Sequence, residues 1–445
     1  MSPQRSATRR WYYHNDLLKA MGKFLPHSGL PLQVEDRRVR WVPRMLVMGA
    51  ILLGWAGGPN LQECFAVARE VLVSMYLSRR RPGQTLAGFL EALSQQSARL
   101  LGIVAASLRR MTIQLSGRTW RLGRWVVMGA DGSRVECPMT RQNEQRLGCA
   151  GKDKTTPQLF VTTLFHVPTG LPWAWLRGRG DSSERGQLRR LLKDLPSCTL
   201  LLMDAGFPSY LLLRTLRRLG HDFIVRVGRN VQLLRALGWE LHERGSTVYL
   251  WPQNYRHRPP LTLRLVRVGT RRRRMYLLTS VRSEELLRDA QVAQLYRLRW
   301  GVEVMYRTLK QTLEHHTMRS DTPDRAQIEL DWYLVGLWML GLMTQEAMGP
   351  RRRLQERWSA AGAISCVRAG MRNARRPRRR GGLRRALGGA VQDRYHRNRP
   401  KQARHYPRKK TERPAGCPKI RMARHQEIAA AQALRPPRPP NQFAA

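Results

Sequence analysis

The sequence predicts an α/β protein with a helical N-terminal part and a basic C-terminal tail. In the middle of the chain, short apolar runs that lead into aspartates alternate with helical segments. Helix-spaced Leu, Ala, Val and Met residues dominate the first 118 residues. Residues 350–445 contain 27 Lys and Arg against 4 Asp and Glu, with frequent Pro, Gly and Ala. That composition is typical of a largely disordered arm.

The composition of the whole chain indicates a polyanionic partner. There are 80 Lys and Arg residues against 31 Asp and Glu, which gives a net charge of +49 and a pI near 11.6. Nucleic acid is the first candidate and an acidic membrane surface is the second. The six cysteines include no CxxC pair, so neither a disulfide framework nor a zinc ribbon is indicated, and a reducing compartment fits.

Residues 1–118 are predicted to form a helical domain that either only packs or binds DNA ends. Leu61–Leu77 and Thr85–Ile113 carry helical spacing. The apolar stretches Met45–Gly58 and Trp332–Met343 are shorter than the ~18 residues that a membrane span needs. The N-terminus lacks the apolar core of a signal peptide. We therefore expect a cytoplasmic protein that does not contact a membrane.

Residues 119–229 are predicted to run strand, strand, strand, helix, strand, helix, strand. Trp125–Met128 is a buried strand that delivers Asp131 at its end, and Thr199–Met203 ends in Asp204. The other predicted elements are strands at Gln158–Val167, Leu171–Arg177 and Asp222–Val227, and helices at 181–195 and Ser209–Leu219. Taken alone, Asp131-Gly132 could be an ordinary turn and Asp204 a helix cap.

Residues 230–283 are predicted to be a β-rich insertion, with strands at Val248–Trp251, Leu261–Val268 and Met275–Val281. Residues 284–349 return to helix. Histidines such as His166 and the pair His315-His316 are expected to be structural or solvated rather than ligands, and Cys417 and His425 stand at no metal-ligand spacing.

Leu295–Glu314 is predicted to be one amphipathic helix. Its apolar residues recur every three or four positions, at Leu298, Val302, Met305, Leu309 and Leu313. Beside them, one strip carries Tyr296, Arg299, Glu303 and Lys310. The simplest interpretation is a solvated face on which Arg299 and Glu303 form an i, i+4 ion pair.

The spacing of that strip resembles the YREK signature of insertion-sequence transposases of the IS-four type. The segments Asp131-Gly132-Ser133 and Asp204-Ala205-Gly206-Phe207 are similar to the two aspartate contexts of the DDE transposase core. The resemblance covers roughly residues 60–350. It implies a ribonuclease-H-like catalytic core in two parts, 119–229 and 284–349, interrupted by the insertion at 230–283 and followed by the tail at 350–445.

The resemblance also implies roles for six residues. Asp131, Asp204 and Glu303 would ligate two Mg²⁺ ions, for which Mn²⁺ can substitute, because hard carboxylate oxygens suit these ions. Tyr296, Arg299 and Lys310 would grip DNA phosphates near the element end. Relatives hold a flipped base on an aromatic of the insertion; Trp239 and Trp251 are both available, and spacing selects neither.

The implied function is cut-and-paste DNA transposition by a homodimer, on element ends and target DNA, in the nucleoid region of a bacterial-type cytoplasm. A catalytically silent DNA-binding relative and a nuclease of the same fold remain alternatives. An RNA- or membrane-binding basic protein would explain the tail, but it would not explain the three carboxylates.

Overall fold

The computed structural model describes residues 16–31, 36, 38–75, 81–149, 156–269, 274–372, 382–392 and 416–435, with the backbone alone at 75 and 351–355. The arginine runs within 375–380 and 271–273 and the basic run 408–410 lie outside the described residues. The helices are α1 (Asp16–Gly22), α2 (Pro43–Ala56), α3 (Leu61–Met75), α4 (Leu86–Ser116), α5 (Arg141–Leu147), α6 (Glu184–Leu191), α7 (Tyr210–Arg218), α8 (Asp289–Leu298), α9 (Gly301–Arg307), α10 (Pro323–Gln355), α11 (Ala360–Arg372), α12 (Gly382–Gly388) and α13 (His425–Ala433).

The strands form one mixed sheet of ten strands among the described residues, in the order β10-β6-β7-β8-β9-β5-β4-β1-β2-β3. Their bounds are β1 (Val126–Glu136), β2 (Gln158–His166), β3 (Leu171–Arg179), β4 (Thr199–Met203), β5 (Asp222–Val227), β6 (Gln232–Arg235), β7 (Thr247–Leu250), β8 (Leu261–Val268), β9 (Met275–Thr279) and β10 (Lys419–Met422).

Three parallel strands form the centre of the sheet. β1 pairs in parallel with β4, and β4 pairs in parallel with β5. β2 and β3 continue the sheet antiparallel beyond β1. β4 is buried along its whole length, as its uninterrupted apolar sequence TLLLM requires of a strand with both faces covered. The predicted strands and helices of 119–229 occur in the predicted order, but α5, between β1 and β2, was not predicted.

The strands of the insertion extend the same sheet. β9 pairs antiparallel with β5, and β8, β7 and β6 follow outwards. The three strands predicted within 248–281 are present at β7, β8 and β9. The insertion is therefore joined to the central strands by a continuous backbone ladder.

The prediction of a largely disordered tail is wrong for the parts of the tail that the structure describes. α11 and α12 bury Ile364, Val367 and Leu383 against the helical layer. Further on, β10 adds to the sheet edge as a parallel partner of β6, and α13 follows it. The sequence allows short helices near 382–388 and 422–434; the structure has α12 and α13 there, although Met422 itself belongs to β10. Composition misled here because a minority of apolar residues is enough to dock short elements onto an existing core.

The N-terminal helices pack on α10, as buried tryptophans show. Trp332 Nε1 donates to Ser97 Oγ of α4 at 2.9 Å, and Trp338 Nε1 donates to Thr112 Oγ1 at 2.9 Å. Trp55 Nε1 of α2 donates to the carbonyl of Gly336 at 3.2 Å. α10 is therefore a buried central helix. Among the residues described, no helix combines the length and the apolar character needed to cross a membrane.

Candidate active site

Asp131 and Asp204 lie side by side because the parallel ladder between β1 and β4 ends just before them. The last pair of that ladder is Gly129 with Leu202, so each aspartate stands two residues beyond it. The prediction that the strand ends at Asp131 is wrong: β1 continues to Glu136, paired with β2, and Asp131 lies opposite Thr163. Asp204 does follow the last residue of β4, as predicted.

Glycines on β1 admit the neighbouring side chains. A Cβ on Gly129 would lie 1.9 Å from the ring of Phe165, so either the ring or the strand would have to move. A Cβ on Gly132 would lie 2.4 Å from the ring of Phe160 and 2.7 Å from Oε1 of Glu184. The glycine after Asp131 is thus required by close packing inside a strand, not by a turn.

The helix predicted at Leu295–Glu314 is interrupted, which corrects the continuous strip inferred from its spacing. α8 ends at Leu298, α9 begins at Gly301, and Thr308–Thr312 form a π-helical turn. The backbone tightens at the break, since the N–H groups of Arg299, Trp300 and Val302 each bond a carbonyl three residues earlier. Gly301 permits the close approach of Phe165, whose ring would lie 3.2 Å from a Cβ there.

The break places Arg299 among the three predicted metal ligands. Its Nη2 donates to Oε1 of Glu303 at 3.0 Å and lies 4.0 Å from Oδ2 of Asp204, and its Nη1 lies 4.0 Å from Oδ1 of Asp131. The Arg299 side chain is only 8% exposed. Its Nε and Nη1 have no hydrogen-bond partner in the part of the chain described. One buried cation is therefore surrounded by three carboxylates that come from three separate elements.

The carboxylates of the cluster repel one another, and Arg299 attracts all of them. Burial raises the pKa of Asp131 to about 7; Arg299 opposes this shift, while Glu184 and Glu303 add to it. Burial disfavours the charged form of Arg299, but Tyr296 and the three carboxylates outweigh it and raise the pKa of the guanidinium. The acids thus need a cation between them to remain ionised together.

The other two residues of the strip also reach the aspartate segments. The Tyr296 hydroxyl donates to Oδ1 of Asp204 at 3.1 Å. Lys310, at the π-helical turn, donates to Ser133 Oγ at 2.8 Å and to the carbonyl of Arg134, both on β1. All six residues predicted from the sequence are therefore gathered in one place, although two of the predicted phosphate-binding groups, Tyr296 and Arg299, are buried.

Three residues of this region escaped the sequence analysis. Arg226 of β5 has Nη1 4.0 Å from Oδ1 of Asp204. The Tyr306 hydroxyl lies 3.0 Å from the carbonyl oxygen of Asp131 and 2.9 Å from Thr163 Oγ1, which fastens α9 to β1 and β2. Glu184 opens α6 beside Gly132. An acid at the first position of a capped helix is so common that nothing in the sequence marks Glu184 as part of a site.

The three carboxylates surround a guanidinium and do not converge on a common point. Among the described residues, no three Asp, Glu, His or Cys side chains converge tightly enough to hold a metal ion by themselves. The guanidinium accounts for this, because the carboxylates are arranged around Arg299. The donor set is nevertheless one of hard carboxylate oxygens facing a cation, which is the chemistry that Mg²⁺ and Mn²⁺ require.

The histidines and insertion aromatics can be placed as well. Burial lowers the pKa of His166 to about 4 and of His315 to about 3, and each ring contacts a backbone carbonyl, of Trp120 and of Gly54. These are core residues. Trp251 is 2% exposed and its Nε1 donates to the carbonyl of Arg258 at 2.6 Å, whereas Trp239 is partly buried beneath Arg435.

Part of the chain is similar to known proteins. Residues 127–339 match the family described as "Transposase DDE domain". The transposase InsG for insertion sequence element IS4 of Escherichia coli (strain K12) is 29% identical over 217 residues, which cover 46% of this chain and 49% of InsG. The match thus spans about half the length of that relative. A cryo-EM structure of a piggyBac transposase synaptic complex with hairpin DNA overlaps 87% of each chain with a TM-score of 0.44 and 12% identity.

Proposed function

We propose that this chain is an active DDE transposase, since residues 127–339 match the transposase DDE domain family and the chain has distant homology to the IS4 transposase InsG. It cleaves DNA at insertion-sequence ends in a metal-dependent reaction. The freed 3′-hydroxyl then attacks a phosphorus of the target DNA, and the 3′-oxygen of the target strand leaves as that bond breaks. The observation that carries the proposal is the convergence of Asp131, Asp204 and Glu303 on a single buried cation.

The strand order supports a ribonuclease-H-like core for this activity. β3-β2-β1 form an antiparallel meander, and β4 and β5 join β1 in parallel through the crossover helices α6 and α7. In open α/β sheets, ligands collect beyond the carboxyl ends of the strands, and this is where Asp204 lies. Under the proposal the core consists of 119–229 and 284–349, with the insertion at 230–283, the helical domain at 1–118 and the basic tail at 350–445.

Asp131, Asp204 and Glu303 are the residues that would hold two divalent cations, Mg²⁺ or Mn²⁺. When bound, such a pair activates the attacking oxygen and neutralises charge around the phosphorus. Arg299 occupies the position between these carboxylates, so it must turn away before they can act as ligands. A guanidinium that leaves the carboxylates is then free to take up a phosphate in a bidentate contact.

The remaining residues orient the reacting groups. Tyr296 holds one oxygen of Asp204, which leaves Oδ2 directed toward the centre. Lys310 and Tyr306 fix the segment of β1 that carries Asp131. As DNA approaches, the Tyr296 hydroxyl, Arg299 and Lys310 supply contacts to the scissile strand. The net charge of +49 provides sequence-independent attraction to DNA. A homodimer would hold two ends at once.

A nicking assay on a fragment that carries the element's own ends tests the function. We expect cleavage at the end in Mg²⁺, none in EDTA, and joined products when target DNA is added. End binding without cleavage in Mg²⁺ or Mn²⁺ would identify the silent DNA-binding alternative, and cleavage without joining would identify a nuclease.

A further inference from the structure

The first turn of α6 contacts both aspartate-bearing segments. Glu184 is the first residue of this helix, which Ser183 caps through a hydrogen bond from the Gly186 N–H. The neighbouring Arg185 donates from Nε to the carbonyl of Gly206 at 2.6 Å. Gly206 lies two residues after Asp204, so the helix is fastened directly to the loop that follows β4.

The Glu184 carboxylate lies between the two aspartate segments. The Gly132 backbone stabilises the charged form of this carboxylate and so lowers its pKa, against the larger effect of burial. A Cβ on Gly132 would lie 2.7 Å from Oε1 of Glu184, and a Cβ on Gly206 would lie 3.3 Å from its Oε2. The residue after Asp131 and the residue two after Asp204 are thus both glycines where this carboxylate needs space.

The charges around Glu184 are those of the candidate metal centre. Asp131 and Asp204 repel it, and Arg299 and Arg134 attract it. The ionised form of a half-buried carboxylate next to two other acids is unfavourable unless a cation or several hydrogen bonds stabilise it. The positive end of α6 and the Gly132 backbone stabilise it in part. An exposed acid would interact equally well with the positive end of α6. That interaction therefore does not explain why Glu184 is partly buried beside Asp131 and Asp204.

We propose that Glu184 is a fourth carboxylate of the metal centre, which contributes negative charge to cation binding and sets the spacing between Asp131 and Asp204. This inference rests on the proposed function, since it assigns Glu184 to the same site. The first turn of α6 joins the two segments, and Glu184 faces the same Arg299 that the three predicted ligands surround. Loss of its charge weakens the hold of the centre on divalent cations.

The test is a Mn²⁺ titration of the full-length protein, with free Mn²⁺ followed by electron paramagnetic resonance. Glu184→Gln keeps the shape and an acceptor for the Gly132 backbone but removes the charge. We expect it to bind Mn²⁺ about 10- to 100-fold more weakly than the wild type, the range typical of groups that support a metal site. Glu184→Asp, which keeps the charge, should recover part of the loss.

The matched control is Asp181→Asn, which removes an acid three residues earlier; this side chain is 62% exposed and pairs with Arg179. It should bind Mn²⁺ like the wild type. Thermal unfolding of each variant confirms that it is folded. Wild-type affinity in a folded Glu184→Gln protein would show that Glu184 only packs and would overturn the inference. Absence of Mn²⁺ binding in the wild type would instead overturn the proposed metal site itself.

Discussion

Arg299 donates a hydrogen bond of 3.0 Å to Glu303, one turn further along the chain. The same guanidinium nitrogen lies 4.0 Å from Asp204. The ion pair expected of an ordinary solvated helix is therefore present, but it is buried and shared with the two aspartates of the central strands. Arg299 behaves as a resident cation for carboxylates that would otherwise repel one another.

Removal of any one acid should abolish cleavage while leaving end binding in place. We expect this for Asp131→Ala, Asp204→Ala and Glu303→Ala, because each supplies ligand oxygens and none is needed to attract phosphates. Gel-shift and nicking assays on the same end fragment separate the two effects. Mg²⁺-dependent cleavage retained by one of these variants would remove that residue from the site.

Substitution of Arg299 should weaken engagement of the scissile end. We expect Arg299→Ala to lose about 1.5–3 kcal/mol of end binding, the scale of a hydrogen bond to a charged group. Arg297→Ala, an exposed neighbour on α8, is the matched control. Arg299→Lys keeps the charge without the planar fork. Full cleavage by Arg299→Lys would discard the bidentate phosphate contact and leave the ion pair with Glu303 as the role of Arg299.

The position of Arg299 also predicts its effect on metal affinity. Because the guanidinium competes with divalent cations for the same carboxylates, Arg299→Gln should bind Mn²⁺ more tightly than the wild type in the absence of DNA. Calorimetric titration measures the difference. Weaker binding in this variant would mean that Arg299 organises the ligands rather than competing for them.

Lys310→Ala should reduce end binding by a similar 1.5–3 kcal/mol and loosen β1. Its ammonium holds Ser133 and the carbonyl of Arg134, next to the Asp131 segment. The exposed Arg307 of α9 offers a control in Arg307→Ala. Hydrogen exchange of the β1 amides should increase in Lys310→Ala and not in the control; an identical exchange rate in both would exclude the structural part of its role.

The basic tail should contribute salt-dependent, sequence-independent DNA binding. Deletion from residue 350 would also remove α11, α12 and β10, so neutralising the arginines within 375–380 with glutamine is the cleaner change. A plot of the logarithm of the DNA-binding constant against the logarithm of the salt concentration gives a slope, and its magnitude should fall by about 0.9 for each phosphate that the protein no longer neutralises. An unchanged slope would show that these arginines do not touch DNA.

Acid should release the C-terminal elements from the insertion. Arg421 donates to Glu427 at 2.6 Å, Arg256 donates to its other oxygen at 2.6 Å, and together they lower its pKa to about 2. A carboxyl group whose pKa is lowered by folding stabilises the folded state at pH values above its unfolded pKa of about 4.3. That stabilisation is lost as the pH falls from about 4.3 toward about 2. Hydrogen exchange of β10 and α13 should therefore rise over this window, and Glu427→Gln should show the raised exchange already at pH 7.

The sequence was sufficient for the central strands and for the aspartate after β4, because an uninterrupted apolar run predicts a buried strand. It also placed Tyr296, Arg299, Glu303 and Lys310 in one site. It could not show that Arg299 lies between the two aspartates, since a regular wheel assumes an unbroken helix, whereas α8 ends at Leu298 and α9 begins at Gly301. Glu184 was missed because only tertiary packing distinguishes it from an ordinary acid in the first turn of a helix.

The most direct test of the central claim is to map where a divalent cation sits on the protein. Fe²⁺ bound in place of Mg²⁺ reduces added H2O2 to hydroxide and a hydroxyl radical, and is itself oxidised to Fe³⁺. The radical cuts the nearby backbone, and mass spectrometry locates the cuts. We expect cuts at the segments around Asp131, Asp204 and Glu303, suppressed by excess Mg²⁺ and absent in Asp204→Ala. Cuts at other segments, or cuts at these three that persist in Asp204→Ala, would contradict a metal centre built from these carboxylates.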